Sequence, residues 1–279
     1  MKNNKLVAPV LKWAGGKRQI LEALISLLPD EKITVYCEPF VGGGALLFRL
    51  RPQTAFINDI NGELMGVYGA IKDDVEALIA ALETFRNDPD CFYAVRSWDR
   101  NKTAYKARTA VEKAARILYL NKTCYNGLFR VNSAGEFNSP FGNYRNPNIV
   151  NASTLRAVCA YFNAAEVRLT SVDYTAALRN LPKEAFVYLD PPYDPVSDTA
   201  NFTSYARGGF SRKDQIALRA ACDELNARGI KFMLSNSATD FIKELYSPYN
   251  VTIIRAKRAI NSNSAKRGEV DELIARNYK

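Results

Sequence analysis

Asp190-Pro191-Pro192-Tyr193 follows the run Ala185-Phe186-Val187-Tyr188-Leu189, and this junction decides the fold. Five apolar residues are long enough for a buried strand and too short for a helix. Two prolines then end any ladder, because neither carries an N–H. An acid, the proline carbonyls and an aromatic ring are thus delivered at the carboxyl end of a strand, where open α/β sheets bind ligands. An aspartate and a proline carbonyl facing one way accept both hydrogens of an amino group, and Tyr193 offers a face on which a planar ring stacks. The set suits an exocyclic amine on an aromatic base. A proline-terminated strand with a capping Asp is the plainer reading of the same four residues.

Upstream, Ile33–Val41 reads as a buried strand running through Glu38-Pro39-Phe40 into Gly42-Gly43-Gly44, then into the helix-forming Ala45–Leu50. Strand, glycine turn and helix make the first βα unit of a nucleotide-binding sheet. Leu47 breaks the full G-x-G-x-x-G spacing, which disfavours a dinucleotide. A second strand, Ala55–Ile60, carries Asp59 near the distance at which such folds place a ribose-hydroxyl acceptor. Before both, Lys12-Trp13-Ala14-Gly15-Gly16-Lys17 invites a phosphate-loop reading. That reading fails, since Arg18 stands where a metal-binding hydroxyl is needed and the glycine spacing is absent. Trp13 reads instead as an aromatic wall beside a tight turn, with Lys17 opening a helix over Gln19–Leu28.

The chain has 279 residues, no histidine and a formal charge of +9. The charge favours a polyanionic partner. Without imidazole, Ser-His-Asp and Cys-His machinery and H-E-x-x-H metal sites are excluded. Five scattered cysteines show no C-x-x-C pair, so neither a zinc site nor a disulfide framework is indicated. The start of the chain leads into no signal-peptide core and no apolar run is long enough to span a bilayer, so a cytoplasmic location is expected.

Residues 62–150 change character. Gly62–Ile71, Val75–Phe85 and Val111–Leu120 carry apolar positions at helical spacing, punctuated by Arg86, Arg96, Arg100, Lys102, Lys106, Arg108, Lys113, Arg116 and Lys122. Most of those charges are expected on a solvated face, a few on phosphate. The segment closes with Tyr125–Asn138, read as a β-hairpin turning at Asn132–Gly135. Period-two alternation puts Leu128, Arg130 and Asn132 on one face, with Phe129 and Val131 packed on the other. Strand-like runs return at Glu166–Val172, Phe186–Asp190, Ile230–Asn236, Val251–Lys257 and Glu272–Tyr278, the first four separated by helical Ala152–Phe162, Lys213–Arg228 and Ala238–Tyr246. Asp173 and Tyr174 are candidates for an adenine pocket or for a simple strand cap. Ser197–Gly209 is long enough for a lid, and Arg258–Asp271, with Lys266 and Arg267, reads as a mobile loop near phosphates or solvent.

KWAGGK at Lys12–Lys17, EPFVGGG at Glu38–Gly44, NDIN at Asn58–Asn61, DPPY at Asp190–Tyr193 and NFTSY at Asn201–Tyr205 together resemble the Dam-type adenine-specific DNA methyltransferases, as does Tyr119–Tyr144. The resemblance spans nearly the whole chain in that family's motif order. It implies an α/β fold: a Rossmann-like seven-stranded methyltransferase sheet from 1–61 and 151–279, with a helical target-recognition domain at 62–150 carrying the hairpin. It implies methyl transfer from S-adenosylmethionine, without a metal, to the N6 amine of a flipped adenine in double-stranded DNA, the enzyme being a monomer in solution. Asp190, Pro191 and Tyr193 would carry the chemistry. Trp13, Lys17, Phe40, Gly42, Asp59 and Asp190 would surround the cofactor, with Asp173 as a further candidate. Arg130 would read guanine with Leu128, Asn132 and Pro140 beside it, Tyr125 and Asn126 would fill or buttress the stack, and Tyr144 and Arg145 would support them; GATC is the leading site. Two alternatives remain: an amine methyltransferase acting on RNA or protein, and a catalytically silent DNA-binding homologue.

Overall fold

The computed structural model describes residues 4–195, 209–257 and 269–279. In chain order the elements are α1 (Leu21–Ser26), β1 (Val35–Glu38), α2 (Ala45–Leu50), β2 (Thr54–Asn58), α3 (Gly62–Asp73), α4 (Val75–Glu83), α5 (Pro89–Arg96), α6 (Lys102–Ala107), α7 (Ala110–Thr123), α8 (Ala152–Ala164), β3 (Glu166–Thr170), α9 (Tyr174–Leu178), β4 (Ala185–Leu189), α10 (Arg212–Ala227), β5 (Lys231–Ser237), α11 (Asp240–Leu245), β6 (Asn250–Lys257) and β7 (Glu269–Arg276). The seven strands form one sheet in the order β3-β2-β1-β4-β5-β7-β6. The first five run parallel, and β7 inserts antiparallel between β5 and β6. This is the Rossmann-like seven-stranded sheet that the resemblance implied.

β4 lies at the centre with all five residues buried, as a strand covered on both faces requires. Its alternation divides the core. Phe186 and Tyr188 join the cluster that also holds Tyr36 of β1, Tyr68 of α3, Tyr119 of α7 and Phe162 of α8. Ala185, Val187 and Leu189 join a second cluster with Leu218 and Cys222 of α10 and Ile242 of α11. The helices between β2 and β3 therefore share the core of one sheet face, with no gap in packing at residues 61–62.

Among the basic residues of 62–150, Arg116 is only 2% exposed and Lys122 is half-buried, exceptions to the solvated face expected of most of them. One expectation is corrected. Glu269–Asp271 belong to β7, paired with β6 through Lys257↔Glu269, instead of closing a loop. Ser197–Tyr205, Lys266 and Arg267 lie outside the described residues.

Asn58 fixes the rim on which the site is built. Its amide nitrogen donates to the carbonyls of Pro39 and Val172, both at 3.0 Å, and its Oδ1 accepts from Thr170 Oγ1 at 2.8 Å and Val172 N at 2.9 Å. The ends of β1, β2 and β3 are thereby tied by one buried side chain. Asn58→Ala strands several of these groups and should cost about 3 kcal/mol, read as a lowered urea midpoint.

Candidate active site

The strand order reverses between β1 and β4, so the turns following these two strands share one crevice. Pairing of Val35, Tyr36 and Cys37 with Ala185, Phe186 and Val187 brings the end of β1, and the Gly42–Gly44 turn beyond it, beside Asp190. Gly42 and Gly44 take φ of +47° and +66°, which favours glycine at both positions. Gly42 also faces Trp13, whose Cδ1 would lie 3.0 Å from any added Cβ. Asp59 holds this turn: its Oδ2 accepts from Gly42 N at 3.0 Å and its Oδ1 from Asn61 N at 2.9 Å. Burial pushes the Asp59 carboxyl up, and these two N–H groups pull it back. Asn61 then caps α3 through Leu64 N. Each polar residue of the NDIN stretch thus has a structural duty, and Ile60 stands 60% exposed among them.

Lys17, itself buried, places its Nζ 2.8 Å from Asp190 Oδ1 and donates to the Gly15 carbonyl at 2.7 Å. The same ammonium lies 4.5 Å from the centre of the Tyr193 ring. Ser235 of β5 donates to Asp190 Oδ1 at 3.0 Å and meets the Tyr188 hydroxyl at 2.9 Å. Burial raises the pKa of Asp190, opposed by Lys17 and Ser235. Both of these partners sit on Oδ1. Among the described residues no donor reaches Asp190 Oδ2 or the Pro191 carbonyl, whereas the Pro192 carbonyl accepts from Gln215 Nε2 at 2.9 Å.

The residues flanking this pair hold it still. Tyr193 donates its hydroxyl to Glu272 Oε2 of β7 at 2.7 Å. Asp194, 2% exposed, accepts from Thr239 at 2.8 Å and Arg212 at 3.2 Å, and its own N–H donates to Asn236 Oδ1 at 3.1 Å. Gln215 and Asn236 are joined at 3.0 Å. None of Ser235, Asn236, Gln215 and Glu272 stands out in the sequence, since polar residues near a strand end read as its fading into a loop and a glutamine in a helix reads as solvated. Glu38 was passed over too. It is buried at the end of β1, takes a 2.9 Å bond from Tyr36, and is pushed up by burial and by its neighbours Asp190 and Asp59.

Phe40, Tyr174 and Phe210 gather at the same rim, with ring centres 5.3 Å (Phe40–Tyr174), 6.1 Å (Phe40–Phe210) and 6.4 Å (Tyr174–Phe210) apart. Such a group presents ring faces and edges to a planar ligand. Asp173 caps α9, its Oδ1 accepting from Thr175 N at 2.9 Å and Thr175 Oγ1 at 2.5 Å. No cluster of three or more metal-ligating side chains occurs among the described residues.

Comparison with known proteins agrees with this geometry. The model of the D12 class N6 adenine-specific DNA methyltransferases matches residues 13–260. The chain belongs to this family. It is 42% identical to the type II methyltransferase M1.LlaDCHI of Lactococcus lactis subsp. cremoris, over 99% of this chain and 98% of that one. It is 41% identical to the type II methyltransferase M.MjaIII of Methanocaldococcus jannaschii, over 98% and 99%. Identity to the DNA adenine methylase of Escherichia coli K12 is 33%, over 99% and 96%.

In this adenine-specific DNA methyltransferase the candidate DNA-reading residues lie together on one surface turn. The hairpin is shorter than the sequence suggested: it has a single bridge, Val131↔Phe137, with a second, Cys124↔Phe141, at its base. Phe129 and Phe137 are buried 5.7 Å apart, and Phe129 stacks on Trp13 at 5.0 Å. Arg130 is exposed, its Nε donating to Asn138 Oδ1 at 2.8 Å. Asn132 is used within the turn, accepting from Ala134 N and Glu136 N and donating to Glu136 Oε2. Tyr125 is 58% exposed; its N–H bonds the carbonyl of exposed Pro140, while Leu128 is half-buried. Asn126 adopts φ +57°, and its N–H donates to the Tyr144 hydroxyl at 2.9 Å.

Because Lys17 lowers the pKa of Asp190 against the rise due to burial, its removal moves that pKa further up. The carboxylate form would then be lost at a higher pH as the solution is acidified. Lys17→Met should shift the acid limb of the kcat–pH profile upward by about one unit or more.

Proposed function

We propose that the enzyme methylates N6 of an adenine flipped out of double-stranded DNA, with S-adenosylmethionine as donor, within GATC. The observation that carries this reading is the pair of acceptors that no donor among the described residues takes, Asp190 Oδ2 and the Pro191 carbonyl, beyond β4 and beside the glycine turn. The adenine amine is a poor nucleophile because its lone pair is delocalised into the ring. Two acceptors gripping its two hydrogens draw the nitrogen toward a tetrahedral shape and free that lone pair. They also stabilise positive charge as the nitrogen is alkylated. Asp190 then takes up the proton released from nitrogen at Oδ2, a role favoured by the raised pKa of this buried carboxyl.

The residues present fit the donor. The glycine turn leaves its backbone open to a ligand, and a Cβ at Gly42 would press on Trp13. The Phe40, Tyr174 and Phe210 rings, with exposed Ile60, suit a purine. Asp59 and Asp173 are the acids near enough in the fold to meet ribose hydroxyls, and Lys17 and Trp13 complete the set. When bound, S-adenosylmethionine supplies a methyl group already activated as a sulfonium, which needs neither metal nor histidine.

A base inside a duplex cannot enter such a rim, so flipping follows, with Tyr193 stacking on the extruded ring. Residues 62–150 act as the target-recognition segment. Exposed Arg130 grips the guanine major-groove edge. Leu128, Asn132 and Pro140 flank it, Tyr125 and Asn126 fill the stack, and Tyr144 and Arg145 buttress them. The protein acts as a monomer in solution, in the cytoplasm, where its DNA substrate resides.

Asp190→Ala should lower methyl incorporation into GATC duplexes by about 10³-fold with a native circular dichroism spectrum. Tritiated-methyl transfer at the normal rate would remove the mechanism. Arg130→Ala should relax guanine discrimination by about 1–3 kcal/mol on substituted duplexes. Digestion of treated plasmid by methylation-sensitive and methylation-dependent GATC nucleases tests the site. RNA and protein acceptors in the same assay test the rival substrates.

A further inference from the structure

The return limb of the reading turn is held by charge more than by strand pairing. One bridge, Val131↔Phe137, with its two flanking backbone bonds (Asn138 N to the Arg130 carbonyl and Asn132 N to the Glu136 carbonyl, both 2.9 Å), pairs the limbs there, so most of the ladder that usually fixes a hairpin's register is absent. Its place is taken by side chains from the helices beneath. Asp99, in the 3-10 turn Ser97–Arg100, is 6% exposed, and its Oδ2 accepts the Phe137 N–H at 2.7 Å. The same oxygen lies 2.7 Å from Arg116 Nη2, and Oδ1 pairs with Arg100. Arg100 returns a bond to the Phe137 carbonyl at 2.6 Å and sits 3.4 Å from Glu136. Both halves of the Phe137 residue's backbone are thus gripped by ionised groups.

Arg116 anchors this arrangement to the fold. It is 2% exposed, and it also bonds the Val95 carbonyl at 3.1 Å and the Arg96 carbonyl at 2.9 Å, at the end of α5. The next residue after Phe137 is Asn138, which faces Arg130 twice: Asn138 N donates to the Arg130 carbonyl at 2.9 Å, and Asn138 Oδ1 accepts from Arg130 Nε at 2.8 Å. With Nε engaged, the two terminal amino groups of Arg130 are the donors that remain for a base edge carrying two acceptors. A chain of direct bonds therefore runs from buried Arg116, through Asp99, Phe137 and Asn138, to the exposed guanidinium.

We propose that Asp99 is a specificity-positioning residue: by fixing Phe137 it sets where Arg130 presents its two terminal donors to DNA. The inference rests on the reading that Arg130 reads guanine. Bidentate recognition depends on donor direction, and hydrogen bonds weaken steeply as they bend. A turn released from Asp99 keeps its arginine and its charge, so it keeps attraction to DNA and loses selection among bases.

The test compares wild type, D99N, R130A and D99N/R130A as full chains, with S-adenosylmethionine and short duplexes carrying GATC or a single replacement of its guanine. The ratio of kcat/KM for the intact over the replaced site is the readout, with cofactor affinity from calorimetry and thermal midpoints measured alongside. D99N should reduce the ratio about tenfold, within the range one bidentate base contact supplies, and leave cofactor affinity in place. D99N/R130A should discriminate no worse than R130A alone, because both changes remove one contact. If D99N fails to fold, D99L/R116M substitutes an apolar pair for the buried ion pair and should show the same loss. A folded variant with wild-type discrimination, or losses from D99N and R130A that multiply, overturns the role of Asp99. A wild type that methylates the duplex without preferring guanine overturns the assignment of Arg130 first, and is seen before any variant is made.

Discussion

Parallel pairing of β1 with β4 is the constraint on which the rest depends. Three residue pairs, Val35–Ala185, Tyr36–Phe186 and Cys37–Val187, decide that a glycine turn and an Asp-Pro-Pro-Tyr stretch far apart in sequence emerge side by side. The pairing is stable because both strands are buried on both faces, so a slip of one residue would exchange the two cores. Phe186 and Tyr188 would be driven into the α10 side, Val187 and Leu189 into the side packed with aromatic rings. Packing on two faces therefore protects one register, and that register places Asp190 beside the glycine turn.

The acid is held by opposing demands. Burial penalises the charge on Asp190, while Lys17 and Ser235 favour it, and both occupy the same oxygen. A carboxylate pinned by one oxygen has a fixed direction for the other. The carbonyl pattern repeats this division of labour: Pro192 is engaged by Gln215, while no donor among the described residues takes the Pro191 carbonyl. Such preorganisation is what an electrostatic mechanism requires, since groups that need not move at the moment of reaction incur no reorganisation cost then.

Much of this was legible in the sequence because the relevant signals are local. Ala185–Leu189 announces a buried strand by composition and length, and consecutive prolines announce its end. Seven strands and the long helices follow from periodicity. The partners of the site were not legible. Ser235, Asn236 and Glu272 acquire their roles from β5 standing next to β4 and β7 next to β5, and β7 enters antiparallel from the far end of the chain. Arg116 misled for a related reason: a charge on a helix reads as solvated unless its partner is known, and Asp99 lies in a different element. Asp59 has a duty its sequence position does not announce, since its two oxygens also hold the backbone N–H groups of Gly42 and Asn61.

Trp13 connects the glycine turn beside Asp190 to the turn proposed to read DNA. One side of its indole lies against Gly42 of the glycine turn, and it stacks on Phe129 of the recognition turn. The contact lies within a cluster that also contains Tyr36, Phe186, Tyr119 and Phe137, so the sheet and the recognition turn share one close-packed core. Close packing transmits position with little slack. The proposed grip on an extruded base tolerates little displacement, since a misplacement of about 1 Å is costly, so the proposed duplex-contacting turn and the Asp190 rim have to keep a fixed separation. A flexible tether between two independent domains would lose that separation. The continuous core against which Trp13 packs keeps it, because the helices between β2 and β3 pack onto the sheet instead of standing apart from it.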